Sequence, residues 1–259
     1  MGKLDGKLAL VTGASAGIGE ATARALAAEG ARVILAARRK ERLERLGAEL
    51  AAAHGEGCCA VLAVDVRDRA DVADAMEKLR GAGWDRIDIL VNNAGLAAGL
   101  DPVHEGNFEN WDRMIDTNLR GLLNVSRYVV PGMVERRSGH IVNIGSIAGR
   151  EVYPNGNVYC ATKHAVRALN RAFRIDLLGT GIRVTTVDPG LVWTEFSYVR
   201  FDWDKERAEK PYEGMTPLRA EDVADAVLWA VTRPPHVNIE EILVMPTDQA
   251  SSVHVHRRT

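Results

Sequence analysis

Tyr159 and Lys163 stand four positions apart in Tyr159-Cys160-Ala161-Thr162-Lys163. On a helix that spacing puts a phenol and an ammonium on one face, within reach of each other. A free phenol has a pKa of about 10, and a nearby cation favours its ionised form. A downward shift of ~3 units, worth ~4 kcal/mol, would bring such a tyrosine near neutral pH, where a general acid–base works best. The bland alternative is a partly exposed surface pair, because Tyr and Lys fall four apart on many helices by chance.

A second cluster speaks to phosphate. The apolar run Leu8-Ala9-Leu10-Val11-Thr12 leads into Gly13-Ala14-Ser15-Ala16-Gly17-Ile18-Gly19 and then into an Ala-rich stretch. Strand, glycines and helix in that order let a pyrophosphate approach the free N–H groups of a helix N-terminus. The spacing Gly-x3-Gly-x-Gly departs from the usual Gly-x-Gly-x2-Gly fingerprint. About twenty residues on, where an acidic residue would bond a ribose 2′-hydroxyl, the chain has Ala36-Ala37-Arg38-Arg39. Ala37 leaves no carboxylate to repel a 2′-phosphate, and Arg38 and Arg39 can grip one. Charge-assisted bonds of ~1.5–3 kcal/mol would favour NADP over NAD roughly ten- to hundredfold. The competing reading is a solvated helix start, since Lys40 and Arg42 continue the basic run. Asp65 follows a third apolar run and could accept from an adenine amino group or cap the next turn. Asn92-Asn93-Ala94-Gly95 follows a fourth, at the strand ends where open α/β sheets bind ligands.

These residues need a scaffold, and the apolar pattern supplies one. Strands are predicted at 8–12, 32–37, 59–64, 87–91, 141–144, 182–187 and 239–244. Helices are predicted at about 17–29, 39–53, 69–80, 107–136, 158–178 and 220–232, with Gly121 and Pro131 as irregularities in the long one. Alternating strand and helix means a parallel sheet with right-handed crossovers, covered on both faces. Asp188-Pro189-Gly190 stops the sixth strand. Residues 191–215, aromatic and charged without clear periodicity, are expected to form a partly helical flap. No repeat or linker divides the chain, so one domain over 1–259 is expected.

Composition narrows the function. The 259 residues are 46% apolar and 26% charged with a net charge of -2, ordinary for a soluble protein and without a basic run for nucleic acid. No signal-like stretch and no 18-residue apolar run occurs, which argues against membrane insertion. Three cysteines without zinc-site spacing fit a reducing, cytoplasmic setting. His254 and His256 alternate as two strand-face ligands would, but are read as tail residues, and no metal is expected.

Thr12-Gly13-x3-Gly17-Ile18-Gly19, Asp65, Asn92-Asn93-Ala94-Gly95, Asn118, Ser146, Tyr159-x3-Lys163 and Pro189-Gly190 together resemble the classical short-chain dehydrogenases/reductases across essentially the whole chain. The resemblance implies a Rossmann-type, doubly wound, seven-stranded α/β sheet and a homotetramer packed through the long helices. It implies that Tyr159 exchanges a proton with the substrate oxygen. Lys163 would lower the phenol's pKa and hold the nicotinamide ribose, and Ser146 would hydrogen-bond the substrate oxygen. Asn118 would hold a water linking Lys163 to solvent. It carries NADP contacts onto Gly13, Ser15, Gly17, Ile18, Gly19, Arg38, Arg39, Asp65 and Val66. Further along it carries them onto Asn92, Ala94, Gly95, Tyr159, Lys163, Pro189, Gly190, Val192 and Thr194.

A narrower likeness, in Asn92–Leu96, Gly156–Tyr159, Glu195–Phe201 and His236–Ile239, is to the NADP-dependent 3-hydroxy-acid dehydrogenases, which include serine and allo-threonine dehydrogenases. It implies a small substrate bearing a carboxylate, for which Arg200 is the candidate clamp. Arg200 could instead pair with Glu195 or Asp202, and Arg150 is a rival. Trp193, Phe196 and Trp203 are candidates for the pocket wall. Other functions in view are reduction of a 3-oxoacyl thioester or a polyol, and NADP sensing without turnover.

Overall fold

A computed structural model describes residues 2–258; Met1 and Thr259, the ends of the expected domain, lie outside the described residues. Seven parallel strands form one sheet: β1 (Leu8–Thr12), β2 (Arg32–Ala37), β3 (Cys59–Ala63), β4 (Ile89–Asn92), β5 (Gly139–Ile144), β6 (Ile182–Pro189) and β7 (Glu241–Val244). Their order is β3-β2-β1-β4-β5-β6-β7. The winding reverses between β1 and β4, so a crevice opens at their carboxyl ends. Val11 pairs with Val91 there.

Alternation along each strand builds two cores. Ala9, Val11, Val33, Leu35, Val91 and Val142 face one side. There they meet Leu26 of α1 (Gly17–Ala28), Leu43 and Leu46 of α2 (Lys40–His54) and Val223 and Val227 of α9 (Ala220–Val231). Leu10, Ile34, Leu62, Leu90 and Ile141 face the other, against Val72 and Leu79 of α3 (Arg69–Gly81) and Val125, Val129 and Met133 of α5 (Leu122–Arg136). No helix among the described residues is long and apolar enough to cross a membrane.

The expected helix over 107–136 is broken. Asn107 caps α4 (Phe108–Ile115) by accepting from the Asn110 N–H, and a π segment, Asp116–Gly121, joins it to α5. The wide turn ends at Gly121, where a Cβ would come within 2.6 Å of Val66 Cγ2. Pro131 sits inside α5 without ending it. β6 also outlasts the expected stop. Thr186 and Gly190 N–H groups donate to Glu240 and Val244 across β7, so by alternation Pro189 faces β5, which has already ended at Ile144. Its missing N–H therefore leaves no ladder bond unmade. The Tyr–Lys helix is α6 (Asn157–Asp176). The flap holds α7 (Glu195–Arg200) and α8 (Lys205–Glu209), capped by Thr194 and Asp204.

One buried group makes this core acid-sensitive. His140 on β5 is 1% exposed. Thr185 Oγ1 donates to the Ile239 carbonyl, so it accepts from His140 Nε2 at 2.7 Å, which leaves Nδ1 unprotonated and without a hydrogen-bond partner among the described residues. Burial, reinforced by Arg183, lowers its pKa from 6.5 to about 3. The unfolded chain therefore takes up a proton that the native state refuses, and stability falls as pH drops from 6.5 toward 3. His140→Asn, which keeps a donor for Thr185 but does not titrate, should flatten the loss of unfolding free energy between pH 6.5 and 4. An unchanged slope in urea unfolding curves would contradict this.

Candidate active site

β5 and α6 set the centre. Tyr159 and Lys163 are 8% and 7% exposed, so the surface-pair alternative is out. Lys163 Nζ donates to the Ile144 carbonyl at 2.9 Å and stands 5.9 Å from the Tyr159 ring centre. Ser146 sits just beyond β5 in extended backbone, accepts from the Ala148 N–H, and shares the cavity wall with Tyr159. Phe196 of α7 meets the Tyr159 ring edge-on at 5.6 Å.

The electrostatics correct one expectation. Burial, with Tyr153 adding to it, pushes the Tyr159 phenol well above the usual tyrosine range, although Ser146 and Arg200 pull the other way. Burial lowers Lys163 to about 8, against the opposing pull of Asp188. Desolvation at this depth outweighs the lowering of the phenol that the i, i+4 spacing suggests.

A cavity of about 640 Å³ runs from the β1–α1 turn past this centre to the flap. Gly13 has φ +68°, and a Cβ there would stand 2.7 Å from Asn93 Nδ2 and 3.1 Å from Ala94 Cα. The first turn of α1 carries no side-chain cap, leaving its N–H groups for an anion. Gly13, Ser15, Gly17 and Ile18 line the cavity, with Arg38, Arg39, Asp65 and Val66 beside them. Ala94, Gly95, Pro189, Gly190, Val192 and Thr194 complete the wall that Tyr159, Lys163 and Ser146 close. An elongated, phosphate-friendly trough with two guanidinium groups at one end fits a phosphorylated dinucleotide.

Two expected cofactor contacts fall elsewhere, and Asn118 turns its side chain to protein partners. Asn92 turns inward, donating its amide to Ser126 Oγ and Asn143 Oδ1; strand alternation gives the cavity to Asn93, whose amide bonds the Thr12 carbonyl at 2.8 Å. Gly19 is absent from the wall. A Cβ there would meet Asn93 Nδ2 and the Gly13 carbonyl, so its role is close packing of α1 on the turn. Asn118 Oδ1 accepts from Leu96 N–H, while Nδ2 donates to the Leu96 carbonyl and Thr162 Oγ1, so both amide hydrogens are used within the protein. Asp65 takes the turn role, with its carboxylate held by the backbone and guanidinium of Arg67, while remaining on the wall.

The arginines sort themselves by partner. Arg150 is bound to Asp188 and Glu241 at 2.8 and 2.7 Å, which removes it as a free cation. Asp188 is itself 1% exposed and also accepts from Thr186 Oγ1. Glu195 pairs with Arg39 and Arg42 rather than with Arg200. Arg200 makes no ion pair among the described residues. Its Nε donates to the Gly99 carbonyl at 2.9 Å, its Nη1 to Tyr153 Oη at 3.0 Å, and it lies 5.8 Å from the Tyr159 ring centre. Tyr153 was not foreseen from the sequence; the turn at Asn155, φ +63°, brings it back toward the site. Phe196 and Trp203 wall the cavity, but Trp193 is exposed and packs on Tyr212.

Residues 7–205 match the short chain dehydrogenase family model. The NADP-dependent 3-hydroxy acid dehydrogenase YdfG of Salmonella typhi is 50% identical over 252 residues, covering 96% of this chain and 99% of that protein. The NADP-dependent 3-hydroxy acid dehydrogenase of Schizosaccharomyces pombe is 43% identical, covering 100% and 99%. A solved structure described as the closed form of serine dehydrogenase complexed with NADP+ superposes with a TM-score of 0.90 at 48% identity, covering 97% of this chain and 100% of that one.

The lowered pKa of Lys163 carries a stability consequence. Between pH 8 and 10.5 the unfolded lysine holds a proton that the native one has lost, so stability rises across that window and the buried charge is a burden below it. That burden is about 3 kcal/mol, with the attraction of Asp188 already counted in it. Lys163→Met should therefore raise the unfolding free energy at pH 7 by roughly 1–3 kcal/mol and remove the rise at alkaline pH. A variant that unfolds more easily at pH 7 would show the ammonium to be net stabilising.

Proposed function

Since the chain belongs to the short chain dehydrogenase family, we propose that it transfers hydride between NADP(H) and the hydroxyl-bearing carbon of a short 3-hydroxy acid. The class includes serine, allo-threonine, 3-hydroxyisobutyrate and 3-hydroxypropionate. The fold, the NADP-dependent relatives and the arginine pair at the cavity's end agree on the cofactor and on chemistry at a CH–OH group. The single observation that carries the acid is Arg200, a guanidinium without a carboxylate partner among the described residues, on the cavity wall beside Tyr159.

NADP, when bound, supplies the hydride acceptor. Tyr159 takes the hydroxyl proton during oxidation and returns it during reduction. Ser146 orients the substrate oxygen through its hydroxyl. Ser146 and Arg200 both favour the phenolate from nearby, offsetting part of the desolvation that raises the phenol. Lys163 remains available to a ribose hydroxyl on the cavity wall. A water at Asn118 would attach through the backbone or the second lone pair of Oδ1, because both amide hydrogens are used, and the π segment there offsets carbonyls from the ordinary helix ladder. Arg200 clamps the carboxylate, and Phe196 covers the phenol and keeps water out. Oxidation of serine or allo-threonine would yield an amino-oxo acid that subsequently loses carbon dioxide.

Tyr159→Phe should keep NADP affinity while losing at least about a hundredfold in turnover, the range for a general acid–base. Arg200→Ala should lower kcat/KM for 3-hydroxy acids about ten- to hundredfold and change that for a neutral secondary alcohol far less. Equal losses for acid and alcohol would overturn the clamp, and near-normal turnover of the phenylalanine variant would overturn the proton role.

A further inference from the structure

α7 reaches both ends of the cavity. At its start, Glu195 accepts from Arg39 Nη1 at 2.9 Å and from Arg42 Nη1 at 2.7 and 2.8 Å. At its end, Arg200 enters the substrate side. Between them Phe196 lies on Tyr159, and Ser197 Oγ bonds Tyr212 Oη at 2.7 Å, whose hydroxyl also bonds the Val192 carbonyl. The helix is thus one short rigid piece with an anion over the adenosine end and a cation over the reacting end.

Arg39 is shared. Its Nε donates to Ser15 Oγ at 3.1 Å and its Nη1 to Glu195, while Nη2 makes no hydrogen bond among the described residues. Arg38, exposed beside it on the cavity wall, forms no ion pair among them. Three guanidinium charges face one carboxylate, leaving two positive charges, the amount that a 2′-phosphate neutralises. The carboxylate therefore need not be displaced when the phosphate arrives. Arg39, Arg42 and Glu195 are all about one-third exposed or more, so the pairs alone hold the flap weakly. A phosphate that immobilises Arg39 removes the entropy that otherwise opposes its bond to Glu195.

We propose that Glu195 is a positioning residue through which the 2′-phosphate of NADP holds α7, and with it Arg200 and Phe196, closed over the substrate. This rests on the reading of Arg38 and Arg39 as the phosphate cradle and of Arg200 as the carboxylate clamp. Cofactor choice and substrate affinity are then linked: NADP prepares the acid site better than NAD does. The link acts through position, since Glu195 touches neither the reacting atoms nor the phenol.

The test needs no turnover. Hydrogen exchange of peptides covering residues 195–212 is followed in the full chain with saturating adenosine 2′,5′-bisphosphate or with 5′-AMP. The bisphosphate should slow exchange about fivefold or more beyond 5′-AMP, the scale of an ordinary coupling between sites. Glu195→Gln should abolish that difference while still binding the bisphosphate. In the same variant the KM for 3-hydroxyisobutyrate should rise about fivefold with NADP and stay unchanged with NAD, with kcat moving less. Equal slowing by the two nucleotides in the parent chain overturns the proposal. So does a difference that persists in Glu195→Gln, or faster exchange with the bisphosphate, which would mean that phosphate and carboxylate compete. A bisphosphate that fails to bind points instead to a wrong phosphate cradle. Failure of the Arg200 clamp leaves the exchange result standing, because no acid is present in that experiment.

Discussion

The bond from Lys163 Nζ to the Ile144 carbonyl is the constraint on which the site depends. It ties α6 to the carboxyl end of β5 and takes an ammonium out of water, where burial brings its pKa down to about 8. Everything around it is cut to allow that depth. A Cβ at Gly149 would stand 2.7 Å from the Lys163 carbonyl, and one at Gly145 would collide with the Asp188 carboxylate. Asp188 supplies the opposing charge from β6 and is held in turn by Thr186 and Arg150. Tyr159 and Ser146 take their places from the same helix and the same strand end. Stability is given up locally so that a cation can stand near the phenol, a common bargain at catalytic sites.

The distribution of arginines decides what the cavity can bind. Arg150 and Arg167 converge on Glu241 and lock β7 to α6 and β6. Arg39 and Arg42 share Glu195. Arg200 alone among these keeps its charge for a ligand, and its two hydrogen bonds to neutral oxygens fix its direction without neutralising it. On the proposed function, such a cation would favour a carboxylate over a neutral alcohol.

Much of this was legible in the sequence because it depends on local pattern. All seven strands were expected near where they stand, and the glycine turn and the Tyr–Lys spacing fix backbone geometry within a few residues. What was not legible depends on register and on distant partners. Whether Asn92 or Asn93 faces the cavity is a matter of strand parity at β4, set by pairing with β5. Gly19 reads as a phosphate glycine until Asn93 is seen packed against it. Asn118 is drawn to Leu96 and Thr162, 22 and 44 residues away in sequence. Glu195 finds its partners about 155 residues upstream, which no local charge pattern announces. The phenol's raised pKa follows from burial, a property of the packed whole.

On the proposed function, Arg200, without an ion pair among the described residues, selects a carboxylate-bearing alcohol beside the buried Tyr–Lys pair for NADP-linked oxidation. The most direct measurement compares kcat/KM for 3-hydroxyisobutyrate and for its methyl ester, followed as NADPH formation at one pH and ionic strength. The two share the reacting carbon and nearly the same shape but differ in charge. The account predicts that the acid is preferred by about tenfold or more, the scale of one charge-assisted bidentate contact. An ester oxidised as well as the acid, or better, would contradict it.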